Sequence, residues 1–400
     1  MDGDKAMPAA VPGKYDDAVL GFRNHWYPAM LSTEIGEDQI VSRTLLGEDI
    51  LFKRVDGVVY AVADQCLHRG FKFSTKPECF TKNTITCWLH AFTYNLRNGE
   101  LVAIPSAPES RLIGNRALHS YPIREVNGMV FTFVGDISPP PLDDDVPPGF
   151  LDPDWYTVPA IDVLSACNWR LAADSGFDPN HIFIHKDDAF LAALDRPFPI
   201  ANRIRGGDTF HEIEERTGEG PKGLIDALGK AEPVFEFEFE CDGERGRMAS
   251  KIPPNEMAHM AYGSIEGSIW LPGVLKVAPW PVLGMSHYEW YVPVDEKHHR
   301  YFIAWSKPVT NPAEKAAFHD EVMNKWKSLG FDEFNATDLV ANLGVEQGTE
   351  GKPYRSTENL YEGDGYTLVW RRLASKFNRG LQTRRGAKLA SGDCGDRKDK

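Results

Sequence analysis

The sequence predicts an α+β chain: an antiparallel β unit, then a larger unit whose antiparallel sheet is covered by helices. Three observations carry this. Three hairpin dipeptides, Asp56-Gly57, Asn98-Gly99 and Asn127-Gly128, punctuate β-rich runs between residues 39 and 134. A proline-rich acidic stretch at 136–148 cannot continue a helix or a central strand. Beyond it, helical stretches are interspersed with runs of period-two alternation.

Taken in order, residues 1–17 read as a flexible lead or a surface extension. Residues 21–30 are aromatic and dock; His25 there is expected to pack or to bond at the surface rather than to bind metal. Apolar β-rich runs at 50–52, 58–62, 92–94, 101–104 and 129–134 flank the three dipeptides, each expected as a type I′ turn. Residues 165–187 read as a helix interrupted at Asp178-Pro179, with Pro179 in the first turn of its second segment. Residues 186–230 are irregular, with a short helix near 224–228. Phe235, Phe237 and Phe239 alternate with Glu236, Glu238 and Glu240, the pattern of a half-buried strand. Strands at 268–277, 288–294 and 301–305 complete a second sheet. Residues 312–329 form the strongest helix, capped by Asn311 and stopped by Gly330. A short helix starting near Asn335 includes Asp338. Residues 366–379 read as a strand running into a last helix, ended by Gly380. The tail, 385–400, has no apolar pattern and is expected to be disordered. The divisions are therefore an extension at 1–20, a β domain at 21–137, a linker at 138–149, a second domain at 150–384 and the tail.

Composition excludes some classes. A net charge of −14 over 400 residues opposes nucleic-acid binding. No apolar run approaches the eighteen or so residues of a membrane span, and the N-terminus lacks a signal-peptide core. Of six cysteines, Cys79, Cys167, Cys241 and Cys394 show no framework spacing and read as free thiols of a cytoplasmic protein.

Cys66 and Cys87 belong to a motif. Cys66-x-His68 is followed, after eighteen residues, by Cys87-x-x-His90. Two short loops each bring one thiolate and one imidazole. A [2Fe–2S] cluster with two cysteines on one iron and two histidines on the other is a Rieske centre. Structural zinc also accepts Cys2His2, but zinc fingers pair like ligands within a loop. Trp88, Phe92, Tyr94 and residues 58–62 are suited to a dry shell around the cluster. Arg69, Lys72, Lys76 and Lys82 lie between or beside the loops. They read as a basic rim for docking an electron donor, with a solvated loop as the plainer alternative.

A second metal site is suggested by His181 and His185, which at i and i+4 share a helix face. Such a pair is often merely solvated. In a chain that holds a redox cluster, it points to the two-histidine, one-carboxylate set of non-haem Fe(II) oxygenases, the carboxylate coming from a distant Asp or Glu.

Asn168-Trp169-Arg170, Gly176-Phe177-Asp178-Pro179-Asn180-His181 and His185 resemble the catalytic domain of Rieske non-haem iron ring-hydroxylating oxygenases. Arg69-Gly70 and residues 91–94 resemble that family's Rieske domain. Similar stretches recur across residues 20–383, and within the family the likeness is greatest to the carbazole dioxygenase branch. The resemblance implies a terminal oxygenase that takes electrons from a ferredoxin, itself served by a reductase. It implies O2, an apolar polycyclic or heterocyclic substrate and a homotrimer. Both oxygen atoms would enter the ring, giving a cis-diol, by angular attack at a ring-fusion carbon where carbazole is the substrate.

By the same resemblance, the third iron ligand is Asp338 of Phe334-Asn335-Ala336-Thr337-Asp338, with Asp332 the lesser candidate. Asp178 would bond a cluster histidine of the adjacent subunit and pass the electron to the iron; a helix cap beside Pro179 also suits an aspartate. Gly176, Gly267, Leu275, Val277, Trp280 and Phe334 would line the pocket. At Gly267 and Trp280 the family pattern expects a branched aliphatic residue and a phenylalanine. Two rival readings remain: a monooxygenase or demethylase with the same metals, and a Rieske electron carrier that is no enzyme. The carrier leaves the chain after the linker without a role.

Overall fold

The structure is a computed structural model describing residues 13–178, 181, 184, 185, 188, 238–242, 247–251, 266–361 and 364–384, the strands within 238–251 by backbone alone. The expectations for 224–228, Phe235, Phe237 and the tail lie outside these residues.

Ten strands come first: β1 (His25–Leu31), β2 (Ile40–Leu45), β3 (Glu48–Val55), β4 (Val58–Ala63), β5 (Thr84–Thr86), β6 (Thr93–Asn95), β7 (Leu101–Ala103), β8 (Ser120–Tyr121), β9 (Ile123–Val126) and β10 (Met129–Val134). They make three antiparallel sheets, ordered β1-β10-β9, β2-β3-β4-β8 and β5-β6-β7. Next come β11 (Trp155–Ser165), α1 (Trp169–Gly176), β12 (Glu238–Asp242), β13 (Arg247–Lys251), β14 (Glu266–Trp270), β15 (Val274–Ala278), β16 (Ser286–Pro293) and β17 (His299–Pro308). The strands among these form one antiparallel sheet, β11-β17-β16-β15-β14-β13-β12. Three helices follow: α2 (Pro312–Glu321), α3 (Ala336–Thr349) and α4 (Gly365–Phe377).

The large sheet has both faces covered, so every residue of β16 is buried. Because successive side chains alternate faces, β16 divides its contacts. Tyr288, Trp290 and Val292 join Trp270, Val274, Phe302 and Ala304 in a core shared with Trp26, Phe131 and Phe150 of the N-terminal half. Tyr291 points the other way, with Leu275, Tyr301, Ile303 and Trp305, into a core with Trp169, Trp326 and Trp370. A third core, including Phe73, Ile85, Tyr94 and Leu101, surrounds Cys66 and Cys87.

Several expectations are corrected. Asp56-Gly57 and Asn127-Gly128 have the two positive φ values of a type I′ turn, but at Asn98-Gly99 only the glycine does, and that hairpin closes by another turn. Leu46-Gly47 is an unforeseen positive-φ pair joining β2 to β3. Their amides bond the carbonyls of Pro293 and Val294, and this docking holds a leucine where leucine is otherwise disfavoured. Residues 13–17 are no loose lead, since Tyr15 is fully buried. The proline-rich stretch does contain a helical turn, Leu142–Asp145, of 3₁₀ type. Its Asp145 is buried and accepts bonds from His25 Nδ1 at 2.8 Å and Arg379 Nη1 at 2.8 Å. His25 is thus an interior hydrogen-bonding residue.

Residues 165–167 belong to strand and connection, and the helix opens at Asn168, whose Oδ1 accepts from the Arg170 amide at 3.2 Å. The run at 268–277 is two strands, β14 and β15, folded back at Leu271-Pro272-Gly273. Residues 366–377 are wholly helical, with no leading strand. Gly330 does not stop a helix. The helix from Asn311, whose Oδ1 accepts from the Glu314 amide at 3.0 Å, widens into π-helical turns at Val322–Trp326 and Ser328–Asn335 and continues as α3. A Cβ on Gly330 would lie 2.7 Å from Trp305 Cζ2, so the glycine lets the helix approach the sheet.

Candidate metal centres and active site

The two Cys-His loops share one backbone shape. The Cys66 amide bonds the Phe71 carbonyl and the Cys87 amide bonds that of Phe92; the Gly70 and Ala91 amides return to the Cys66 and Cys87 carbonyls. Gly70 and Ala91 both take positive φ, 72° and 56°, which turns each loop back on itself. Cys66 and Cys87 are 1% exposed, whereas His68 and His90 are exposed. Their imidazoles meet with ring centroids 4.5 Å apart, and His68 stacks on Phe92 at 4.6 Å. The donor set is graded, with thiols inside and imidazoles at the rim. Tyr94 Oη lies 3.4 Å from Cys66 Sγ and 3.3 Å from the Leu67 amide. Burial pushes the Cys66 thiol up to about 11, against the Tyr94 hydroxyl, so a bound metal must displace its proton.

The second set converges from two distant segments. Ligand atoms of His181, His185 and Asp338 lie within 4.8 Å of one another. Asp338 Oδ1 is 3.4 Å from Nε2 of each histidine. Each Nε2 is aimed by its other ring nitrogen. His181 Nδ1 bonds the Asp178 carbonyl, and His185 Nδ1 bonds Asp188 Oδ2 at 2.7 Å. This use of Nδ1 to fix Nε2 is the usual support of a metal-binding histidine. His185 Nε2 is buried without a hydrogen-bond partner, an atom that a cation would satisfy. Burial disfavours charge on His185, but Asp188 and Asp338 outweigh it and carry the imidazole up to about 9. Two imidazoles and a carboxylate with an orphaned nitrogen fit a first-row divalent cation.

Phe334 stacks on His185 at 3.9 Å, and Trp280 lies 5.7 Å from Phe334. Leu275 and Val277 stand on β15 opposite Glu289 and His287 of β16, and Gly267 of β14 pairs with Val277. Gly176 ends α1, where a Cβ would collide with the Tyr291 hydroxyl at 1.9 Å. Asp178 is half-buried, and its carboxylate lies close enough to raise the Tyr361 phenol, after burial itself. Asp332 is not among the grouped ligand atoms.

Of the four rim cations, all exposed, Lys72 pairs with Asp49 at 2.7 Å and Lys82 with Asp56 at 2.6 Å. Lys76 sits 4.4 Å over Trp88. Two of the four charges are thus locally offset, and Arg69 and Lys76 dominate the rim.

Sequence reasoning missed Asp188 and Glu289. Asp188 had a signal, three residues after His185. Glu289 is a buried carboxylate accepting from His287 Nε2 at 2.7 Å, Tyr291 at 2.7 Å, Tyr301 at 2.6 Å and Asn335 Nδ2 at 3.2 Å. Burial opposes its charge, but His287 and the two phenols bring it down to about 2. Nothing local in the sequence indicates that arrangement.

A β unit with paired Cys-His loops, followed by a helix-covered sheet with a two-histidine carboxylate set, defines a class. The chain belongs to the ring-hydroxylating oxygenases: residues 25–122 match the Rieske [2Fe-2S] domain, and residues 133–382 match the homotrimeric ring hydroxylases. Among its relatives are the carbazole 1,9a-dioxygenase terminal oxygenase components of two organisms. That of Metapseudomonas resinovorans is 42% identical, covering 95% of this chain and 97% of its own. That of Sphingomonas sp. is 43% identical, covering 93% and 96%. The oxygenase in the reduced oxygenase–ferredoxin complex of carbazole 1,9a-dioxygenase superposes with a TM-score of 0.77 at 36% identity, covering 94% of each chain.

Proposed function

We propose that this oxygenase dihydroxylates carbazole or a similar heteroaromatic ring by angular attack, with electrons supplied by a ferredoxin. Cys66 and Cys87 would hold one iron of the cluster and His68 and His90 the other; His181, His185 and Asp338 would hold the mononuclear iron. When bound, the cluster relays single electrons, and the iron activates dioxygen for insertion into the ring. The chain's own residues do the rest. Tyr94 donates to the Cys66 sulfur, Asp188 and the Asp178 carbonyl aim the histidines, and Gly176, Gly267, Leu275, Val277, Trp280 and Phe334 enclose an apolar ring. Asp178 links the site to a cluster histidine of the neighbouring subunit. Arg69, Lys72, Lys76 and Lys82 receive the ferredoxin. Residues 21–137 act as the electron-entry domain, 138–149 as a docked linker and 150–384 as the catalytic domain. No helix among the described residues is long and apolar enough to cross a membrane. The free thiols of Cys79 and Cys167 support a cytoplasmic setting.

The observation that carries the reading is the convergence of Asp338 Oδ1 on both Nε2 atoms beside Phe334 and Trp280. Its test is turnover on carbazole, dibenzofuran and naphthalene with purified ferredoxin and reductase, comparing wild type with Asp338→Ala. The variant is expected to lose oxygenation while the cluster's EPR signal persists. Near-normal turnover would remove Asp338 from the site.

A further inference from the structure

We propose that Asn335 and Glu289 are positioning residues of the mononuclear iron centre: the Asn335 amide ties Asp338 Oδ2 to the buried Glu289, leaving Oδ1 as the metal-binding oxygen. The inference rests on Asp338 being an iron ligand. Asn335 Nδ2 lies 3.1 Å from Asp338 Oδ2 and 3.2 Å from Glu289 Oε1. Both partners are carboxylates, which only accept, so the amide must present its NH2 to both. The other oxygen, Oδ1, is the atom that faces His181 and His185.

A plainer role for Asn335 fails. It precedes the α-wound segment at Ala336, where an asparagine often caps, yet its side chain makes no capping bond. It is 3% exposed, so it does not serve solvent either. It stands one helical turn before Asp338, and that spacing brings the two side chains together.

Glu289 supplies the fixed end. Its remaining acceptor capacity is taken by His287 and the Tyr291 hydroxyl on the same strand and by the Tyr301 hydroxyl on the adjacent strand β17. A carboxylate clamped on a sheet by three donors cannot follow a moving helix. Asn335 therefore transmits the sheet's rigidity to a ligand carried on a helix. Without Nδ2, two anions would face each other across the gap and Asp338 would be free to rotate.

The test uses the full chain loaded with cluster and iron(II). Asn335→Ala is expected to weaken iron(II) about 10- to 100-fold in competition with a chelator, the usual effect of losing a ligand's hydrogen-bond partner. The nitric oxide EPR signal of the bound iron should broaden as the carboxylate samples several orientations, with the Rieske signal unchanged. Glu289→Gln keeps an acceptor for Asn335 and should stay within a few-fold of wild type. Glu289→Met should match Asn335→Ala, and the double variant should be no worse than either. The Rieske signal reports whether Glu289→Met folds; if that signal is lost, Asn335→Ala decides, since it leaves the other three donors in place. Unchanged iron affinity and an unchanged nitric oxide signal in Asn335→Ala, or fully additive losses in the double variant, would overturn the proposal. If Asp338→Ala itself leaves iron affinity unchanged, the ligand assignment fails instead, which is a separate result.

Discussion

At the residue scale, the protonation of one group in the proposed iron site, His185, is set by its neighbours. His185 before metal binding is drawn up to about 9 by Asp188 and Asp338 against the effect of burial. Below that pH the imidazole carries a proton that iron must displace, so apparent iron(II) affinity rises with pH and levels off near 9. The expected slope is about tenfold per pH unit for the one proton released. Chelator competition between pH 6.5 and 8.5 measures it (roughly two decades in all). Asp188→Ala should shift the break to lower pH, because one source of the raised value is gone; a flat profile in the wild type would contradict the assignment. That His181 and His185 come together was legible from their spacing of four. The contacts around Asp338 and Asp188 were not, because Glu289 reaches Asn335 across 46 positions and Thr337 reaches Asp188 across 149.

At the scale of elements, local turn chemistry was readable where one dipeptide sets the backbone, as at Asp56-Gly57 and Asn127-Gly128. It failed where tertiary contacts decide. Leu46 holds positive φ because Pro293 and Val294 accept from the turn's amides. Gly330 reads as a helix stop, yet the helix runs on through wide turns, of a kind often found at functional sites. Those turns carry Phe334 to His185 and lead into α3, whose Asp338 faces both histidines. Gly330→Ala tests this dependence. The added Cβ meets Trp305, which is 1% exposed and has no room to yield. Overpacking of this sort costs about 1–3 kcal/mol. Calorimetry should show the loss, and iron affinity should fall with it because the helix is displaced. An alanine variant as stable as wild type would mean that the helix has slack against the sheet.

At the scale of the whole molecule, the large sheet joins the two chemistries. One face of β16 packs against the N-terminal strands and the other against the core that includes Trp280 and Phe334, beside the candidate metal ligands. In the proposed reading electrons would enter at the exposed edge of His68 and His90, on a chain that is acidic overall. Steering by the rim mainly raises the on-rate and weakens with salt. Because Lys72 and Lys82 are paired, reversing Arg69 and Lys76 to Glu should have the larger effect. Reduction by ferredoxin should slow and lose its salt dependence, while reduction by dithionite should hardly change. Equal slowing with both reductants would point to a damaged cluster.

The most direct measurement of the central claim is the isotopic fate of O2. Purified oxygenase, ferredoxin and reductase would turn over carbazole under ¹⁸O2, and the product would be weighed by mass spectrometry. The expected product carries two ¹⁸O atoms from one O2 molecule, with none in the Asp338→Ala control. A wild-type product carrying a single ¹⁸O would contradict dioxygenation and make the chain a monooxygenase on that ring.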